Sequence, residues 1–557
     1  MKKHESAFSS LPSSLSPGNR QHSALQTVKA ASIRSVSPSR TRLAALLLLS
    51  LFTLGCLSGC GGSASTEGDA GTGQSQDPGQ RVFVAAAPTA PINMDPYDSY
   101  GDNAYGHKQV YNALIYLEGE NRETKCDLAE RYDISADGLT YTFTLRQGVK
   151  FHNGDEFNAE DAQFSILLAP KSEFSRQYSC DIVGCDILDD YKIAVHLAAP
   201  NVSILERLSN IFMMNKDVYE EYGENYGTSV DSVCGTGPYI LTGWVSGSEC
   251  VFEANPNYFK GEPAIKKARL KAMPDENTAV ISLQTGEVDL YIGDIPGIAW
   301  DTIAGDESLN LVTYASSKLY DYIMNCKDGM FADLRMRQAV AYAVDRKNAM
   351  NIGVEGHGYV ADYPGYPNFK GRPDVENIWP YEVNLEKARA LVKEAGYEGA
   401  PVAIKSYALE PYSKLATALQ SELSAIGLDA KVELMEKNTY IEEVLNNGNY
   451  EIGVIRHYPE AAMDMYEMMN MFLEDQIPGW NWTWYVSNVM EEVLPKAAGE
   501  QDPEARKALY EIAIQDFVDN VPLIPLYAPV GNRAFTKDLV IDPGNVQYEM
   551  FSWYSWK

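Results

Sequence analysis

From Thr140 to Leu145 polar and apolar residues alternate one for one, Thr-Tyr-Thr-Phe-Thr-Leu, the period of a strand with one buried face. Turn signals frame it, Ala136-Asp137-Gly138 before and His152-Asn153-Gly154-Asp155 after, since Asn-Gly tolerates positive φ. Asn158 then occupies an N-cap position with Asp161 three residues on, which predicts a helix opening at Ala159. The same periodicities predict strands over 81–87, 192–197, 320–325, 402–406, 430–434, 450–455 and 521–526. They predict helices over 105–117, 203–208, 331–344 and 504–518. Asp275 opens a helix with Ala279, Val280 and Leu283 on one side and Gly286 as its stop, followed by a strand through Val288-Asp289-Leu290. Asn384 caps another, whose Leu385, Ala388, Leu391, Val392 and Ala395 share a face before Gly396. Tyr412, Leu415, Leu419, Leu423 and Ile426 form a helical stripe between 402–406 and 430–434, so this part is a βαβ unit with a right-handed crossover.

A chain of 557 residues exceeds one compact core, so two or three domains are expected. With 45% hydrophobic and 11% aromatic residues it is an ordinary globular protein. The formal charge is −30, and the first 59 residues hold seven Lys/Arg against one Glu, so the remainder is more acidic still. Such a surface argues against nucleic acid and against direct binding to anionic lipid. Residues 1–59 are a targeting segment: Arg34, Arg40 and Arg42 precede an apolar run, Leu43 to Leu54, too short to span a bilayer. Leu57-Ser58-Gly59-Cys60 resembles a bacterial lipobox, with Cys60 as the lipidated residue, and 60–81 is a Gly/Ser/Thr/Asp/Gln tether. Cys180 with Cys185 and Cys234 with Cys250 are candidate local disulfides, with free buried thiols as the alternative.

The block Glu130–Ser165 resembles the most recognisable stretch of the extracytoplasmic solute-binding proteins of family 5, the peptide- and nickel-type receptors of ABC importers. Ser135, Asp137-Gly138, Tyr141, Phe143, Leu145-Arg146, Gly148-Val149-Lys150-Phe151, Gly154, Phe157, Ala159-Glu160-Asp161 and Phe164-Ser165 carry the likeness. Further matches are Cys234-Gly-Thr-Gly-Pro-Tyr239, Asn255-Pro-Asn-Tyr-Phe-Lys-Gly261, Thr285-Gly-Glu-Val-Asp289, Arg337–Arg346 and Val521-Pro-Leu-Ile-Pro-Leu526. The resemblance implies an α/β, periplasmic-binding-protein-like type II fold, two lobes on a hinge plus an inserted α+β domain. Lobe I would comprise 82–118, 233–318 and 521–557, the inserted domain 119–232, and lobe II 319–520. It also implies an extracytoplasmic, lipid-anchored monomer without cofactor or catalysis. Such a receptor would deliver a short peptide to an ABC permease, with a nickel chelate as the runner-up ligand. A secreted enzyme or surface chaperone on this fold is the alternative of a different class.

Catalytic motifs are lacking: there is no Gly-x-Ser-x-Gly, His-Glu-x-x-His or Gly-rich phosphate loop. Ligand chemistry is expected in Ile452–Met471, where the family's strand delivers a loop to the cleft. Arg456 is a carboxylate clamp or an interlobe ion-pair former, His457 a metal or metallophore ligand or a polar lining residue. Tyr458, Glu460 and Asp464 follow as candidates, Asp464 either as partner of a ligand ammonium group or as N-cap of a helix over Met465–Leu473. Trp480, Trp482 and Trp484 recur at period 2, and in an extended segment they form an aromatic shelf on one side.

Overall fold

The computed structural model describes residues 81–557 apart from 99–103, 173, 180, 367, 376 and 460. The expected signal, the lipidated Cys60, most of the tether, Cys180 and Glu460 therefore lie outside the described residues.

A twelve-stranded sheet runs through both lobes. In the first, Val82–Ala87 pairs in parallel with Lys267–Ala272 and Leu290–Tyr291, and Lys267–Ala272 continues antiparallel to Glu249–Ala254 and then Tyr239–Val245. In the second, Pro401–Tyr407 lies in parallel between Asp429–Met435 and Ile452–His457, and Ile452–His457 pairs antiparallel with Leu319–Met324. The helix Tyr412–Ala425 joins the first two of these and buries Leu415, Leu419 and Leu423, as its stripe predicts.

One element belongs to both halves. Leu523–Thr536 pairs through Leu523–Tyr527 with the second-lobe strand Leu319–Met324 and through Val530–Thr536 with the first-lobe strand Leu309–Ala315. The expectation that assigned everything from 521 onward to lobe I gives way here. The period-2 pattern continues across the hinge, and the boundary falls inside a strand. The second crossing is the short connection from Ala315 to Leu319.

The inserted region carries a four-stranded antiparallel sheet in the order Ala129–Ile134, Thr140–Leu145, Lys192–Leu197, Ile182–Asp189. Thr140–Leu145 alternates half-buried and buried residues, as predicted. Asn158 accepts from Glu160 N, and Asp161 returns a bond to Asn158 N. One apolar cluster joins this sheet to the first lobe, from Phe83 and Leu270 to Phe143 and Val195. A second, centred on Tyr322, Met336, Ile404 and Phe517, fills the other lobe.

The helix expected over 105–117 stops at Val110, and Ile115–Glu118 is a strand. The Gly-Thr-Gly turn explains this: Gly237 N donates to Val110 O at 2.8 Å. A Cβ on Gly235 would sit 2.0 Å from that oxygen. The turn takes the carbonyl that the next helical turn would need, and only glycine allows the approach. The proposed Cys234–Cys250 pair is not formed, and of the other proposed pair Cys180 lies outside the described residues. Cys185, Cys234 and Cys250 are buried free thiols. Register places Cys250 opposite Leu270 and Trp244 inside the sheet. Cys234 instead abuts the His152–Asn153 turn. Burial pushes the Cys250 thiol up to about 12 and Cys234 up to about 11, so both are unreactive.

Candidate functional site

Strand register decides which predicted residues share a face. Leu319–Met324 and Ile452–His457 run antiparallel with Leu319 opposite His457 and Tyr320 opposite Arg456. Opposed residues share a face and successive ones alternate. Arg456 and His457, treated above as one candidate group, therefore point to opposite sides of the sheet.

On one side stands Arg456, half-buried among phenols. It hydrogen-bonds the Tyr320 side chain, its guanidinium lies 4.9 Å from the Tyr458 ring centroid, and Tyr412 is a near neighbour. Tyr320 stacks on Tyr527 at 5.0 Å and meets Tyr412 at 5.5 Å. Arg456 Nε has no hydrogen-bond partner, and among the described residues no carboxylate forms an ion pair with Arg456. A guanidinium held by aromatic rings, with no ion pair among the described residues, can take up an anion, best one that accepts two parallel N–H bonds. Of the two readings of Arg456, the interlobe ion pair is not seen among the described residues.

The opposite side holds a closed pair. His457 Nδ1 lies 2.6 Å from Asp321 Oδ2, and neither side chain is exposed. Trp482 stacks on the imidazole at 4.8 Å, and Trp480 meets it edge-on at 5.5 Å. Burial pushes the Asp321 carboxyl up to about 6 against the pull of His457. His457 is thus enclosed with Asp321, on the side of the sheet away from Arg456. The tryptophan shelf is not formed, because the segment turns instead of extending and Trp484 adopts φ 57°. Trp480 and Trp482 close over His457, while Trp484 lies against Lys327 at 4.7 Å.

Asp464 likewise has partners within the protein. It caps Met465–Met469 by accepting from Tyr466 N at 2.9 Å and receives the Tyr510 hydroxyl at 3.2 Å, with Arg506 nearby. The helix ends at Met469 and continues as a 3-10 turn over Asn470–Phe472. Its run of methionines packs into the core.

Sequence reasoning missed the contacts between the halves. Arg207, in the inserted-region helix Ile204–Leu208, donates from Nε and Nη2 to the two oxygens of Glu467, each at 2.8 Å. The neighbouring Glu206 binds Arg122 at 2.6 Å, Lys370 at 2.9 Å and Met463 N at 2.8 Å. Burial raises the Glu206 carboxyl, but Arg122 and Lys370 outweigh it and hold it below the usual carboxylate range. Glu467, Lys370 and Met463 all belong to the second lobe. Val202 N also reaches Ala498 O at 2.9 Å, and Trp300 stacks on His357 at 3.9 Å. Near the hinge, Asp294 binds Lys318 at 2.6 Å and lies close enough to Tyr320 to affect it. Acidic and basic groups of the first lobe therefore flank the tyrosines around Arg456. The one usable signal in the sequence was Asp321, a lone carboxylate in the otherwise apolar and aromatic strand Tyr320–Met324, which predicts a buried partner.

Residues 123–479 match the family profile described as bacterial extracellular solute-binding proteins, family 5. The chain is 25% identical over 525 residues to the oligopeptide-binding protein AppA of Bacillus subtilis, covering 89% of this chain and 94% of that one. It is 28% identical over 490 residues to the di/tripeptide-binding protein 2 of Pseudomonas aeruginosa, covering 81% and 90%. Among solved structures it superposes, with a TM-score of 0.73 and 25% identity, on the periplasmic binding protein DppA of Helicobacter pylori in complex with the peptide STSA. That alignment covers 86% of this chain and 98% of the other.

Proposed function

The chain belongs to the bacterial extracellular solute-binding proteins of family 5, and from that membership we propose that it captures a short peptide between its lobes and delivers it to an ABC permease. Arg456 carries the proposal: a half-buried guanidinium ringed by Tyr320, Tyr412 and Tyr458, with no ion-paired carboxylate among the described residues, suits a peptide α-carboxylate. Tyrosine rings around it supply area and hydroxyl groups without adding charge. The relatives and neighbours whose names mention oligopeptides, di/tripeptides or a bound peptide support the ligand class. A nickel chelate held by His457 is disfavoured, since that imidazole is enclosed with Asp321. The protein acts by binding and closure, not by chemistry.

Titration with a dipeptide library tests this directly. Arg456→Ala should weaken binding at least a hundredfold, and Arg456→Lys should recover part of the loss because it restores charge without the planar fork. Unchanged affinity in Arg456→Ala would end the carboxylate assignment. The family is extracytoplasmic, and among the described residues no helix is long and apolar enough to cross a membrane. Attachment through diacylglycerol on Cys60 rests on Leu57-Ser58-Gly59-Cys60. Release of a Cys60→Ala chain into the medium is the expected outcome, and retention at the membrane would refute it.

A further inference from the structure

On the face of the sheet that carries Arg456, three strands place one residue each in a row. Tyr527 lies opposite Tyr320, and Tyr320 opposite Arg456, so the three side chains emerge side by side. The Arg456 guanidinium, bonded to Tyr320, closes one end of this row. The helix Arg346–Val354 closes the other: a Cβ on its Gly353 would lie 1.9 Å from the Tyr527 hydroxyl.

Glu355 follows directly. It ends that helix with φ 49°, the left-handed position where glycine is usual. Its carboxylate acts on the Tyr527 phenol and reaches the first lobe, since a Cβ on Gly297 would lie 2.5 Å from Glu355 Oε2. Other carboxylates close to these rings are matched: Asp294 by Lys318 at 2.6 Å and Arg533 at 3.5 Å, Asp321 by His457. Lys414 lies within the field of Glu355 but binds Glu410 at 2.6 Å. Among the described residues Glu355 itself makes no hydrogen bond or ion pair. A carboxylate and a guanidinium thus stand at opposite ends of one tyrosine floor, and the carboxylate lies where the lobes meet.

We propose that Glu355 holds an ammonium group of the ligand whose carboxylate lies on Arg456; the assignment rests on the function proposed above. A charge-assisted N–H bond to a carboxylate between closing lobes complements the Arg456 clamp. The ammonium is either the α-ammonium group of the peptide or a lysine side chain, and two ligand pairs separate these sources: Ala-Ala against N-acetyl-Ala-Ala, and Ala-Lys against Ala-norleucine. Calorimetric titration of the full chain should give at least tenfold tighter binding for the charged member of one pair, the first for an α-ammonium group and the second for a lysine side chain. Glu355→Gln should erase that ratio. Glu355→Gly, which removes the carboxylate and suits the left-handed φ, should erase it as well in a chain that melts no lower than wild type, which separates the lost charge from lost folding. Equal affinities within both pairs, or a ratio that survives in both variants, overturns the proposal and leaves the Arg456 assignment standing. A chain that binds none of the four overturns it together with the function it rests on.

Discussion

The Arg207–Glu467 pair joins the inserted region to the second lobe and is the contact whose loss is simplest to work through. Both side chains are about nine-tenths covered or more, at 7% and 6% exposure, and two hydrogen bonds of 2.8 Å fix the geometry. Removing one partner of a buried pair costs about 3–5 kcal/mol, because the survivor stays desolvated without compensation. Here the survivor has an escape: separation of the lobes returns Glu467 to water. The cost therefore falls on closure and not on the fold of either half, and taking ~3 kcal/mol at ~1.4 kcal/mol per tenfold, Arg207→Ala should weaken apparent peptide affinity by about a hundredfold. Arg207 also touches Asp181 at 3.3 Å within its own half, so Glu467→Gln is the cleaner companion and should show a similar loss. The double change Arg207→Met with Glu467→Met should recover most of the affinity, since an apolar pair of similar volume replaces a buried ion pair without penalty. Calorimetry gives the affinities, and small-angle scattering without peptide reports a larger radius of gyration in the single variants. Affinities within twofold of wild type for Arg207→Ala, in a chain that keeps its melting temperature, would refute the assignment of this pair to closure.

Three further outcomes follow from the geometry. Burial lowers the His107 imidazole from the ordinary 6.5 to about 4, so the folded chain holds it neutral while the unfolded chain protonates it first; stability is complete above pH 6.5 and falls by about 3 kcal/mol as pH drops toward 4, a slope that His107→Asn should flatten in urea titrations at several pH values. Gly235→Ala should destabilise the first lobe by several kcal/mol, read as a lower melting temperature, because the added Cβ would lie 2.0 Å from Val110 O. Asp464→Asn keeps an acceptor for Tyr466 N and should leave peptide affinity within twofold, whereas a tenfold loss would revive its role as an ammonium partner.

Local patterns in the sequence were sound wherever one element settled them. The Thr140–Leu145 alternation, the Asn158 cap and the Leu415–Leu423 stripe each depend on neighbours within a turn or a strand, and each is observed. What failed depended on distant chain. The helix after Tyr105 ends early because a glycine turn some 125 residues later docks on Val110. His457 looked available until the register with Leu319–Met324 set Asp321 beside it. The tryptophans looked like a shelf because period 2 presumes an extended chain, and the turns around Trp482 remove that premise. Arg207 and Glu467 lie 260 residues apart, and nothing in either local context marks the other.

The strand Leu523–Thr536 also has a meaning for how the chain is made. The first lobe begins with Val82–Ala87, is left open while the entire second half is synthesised, and receives its last strand only when the C-terminus arrives. The second lobe waits for the same segment, since Leu523–Tyr527 completes the far edge of Leu319–Met324. Neither half can finish ahead of the other, so a chain halted after Asn520 carries two unfinished sheets with exposed edges, ready for a chaperone or a protease. For an exported protein this makes Leu523–Thr536 a checkpoint: only a chain translocated past that strand can hide both edges at once.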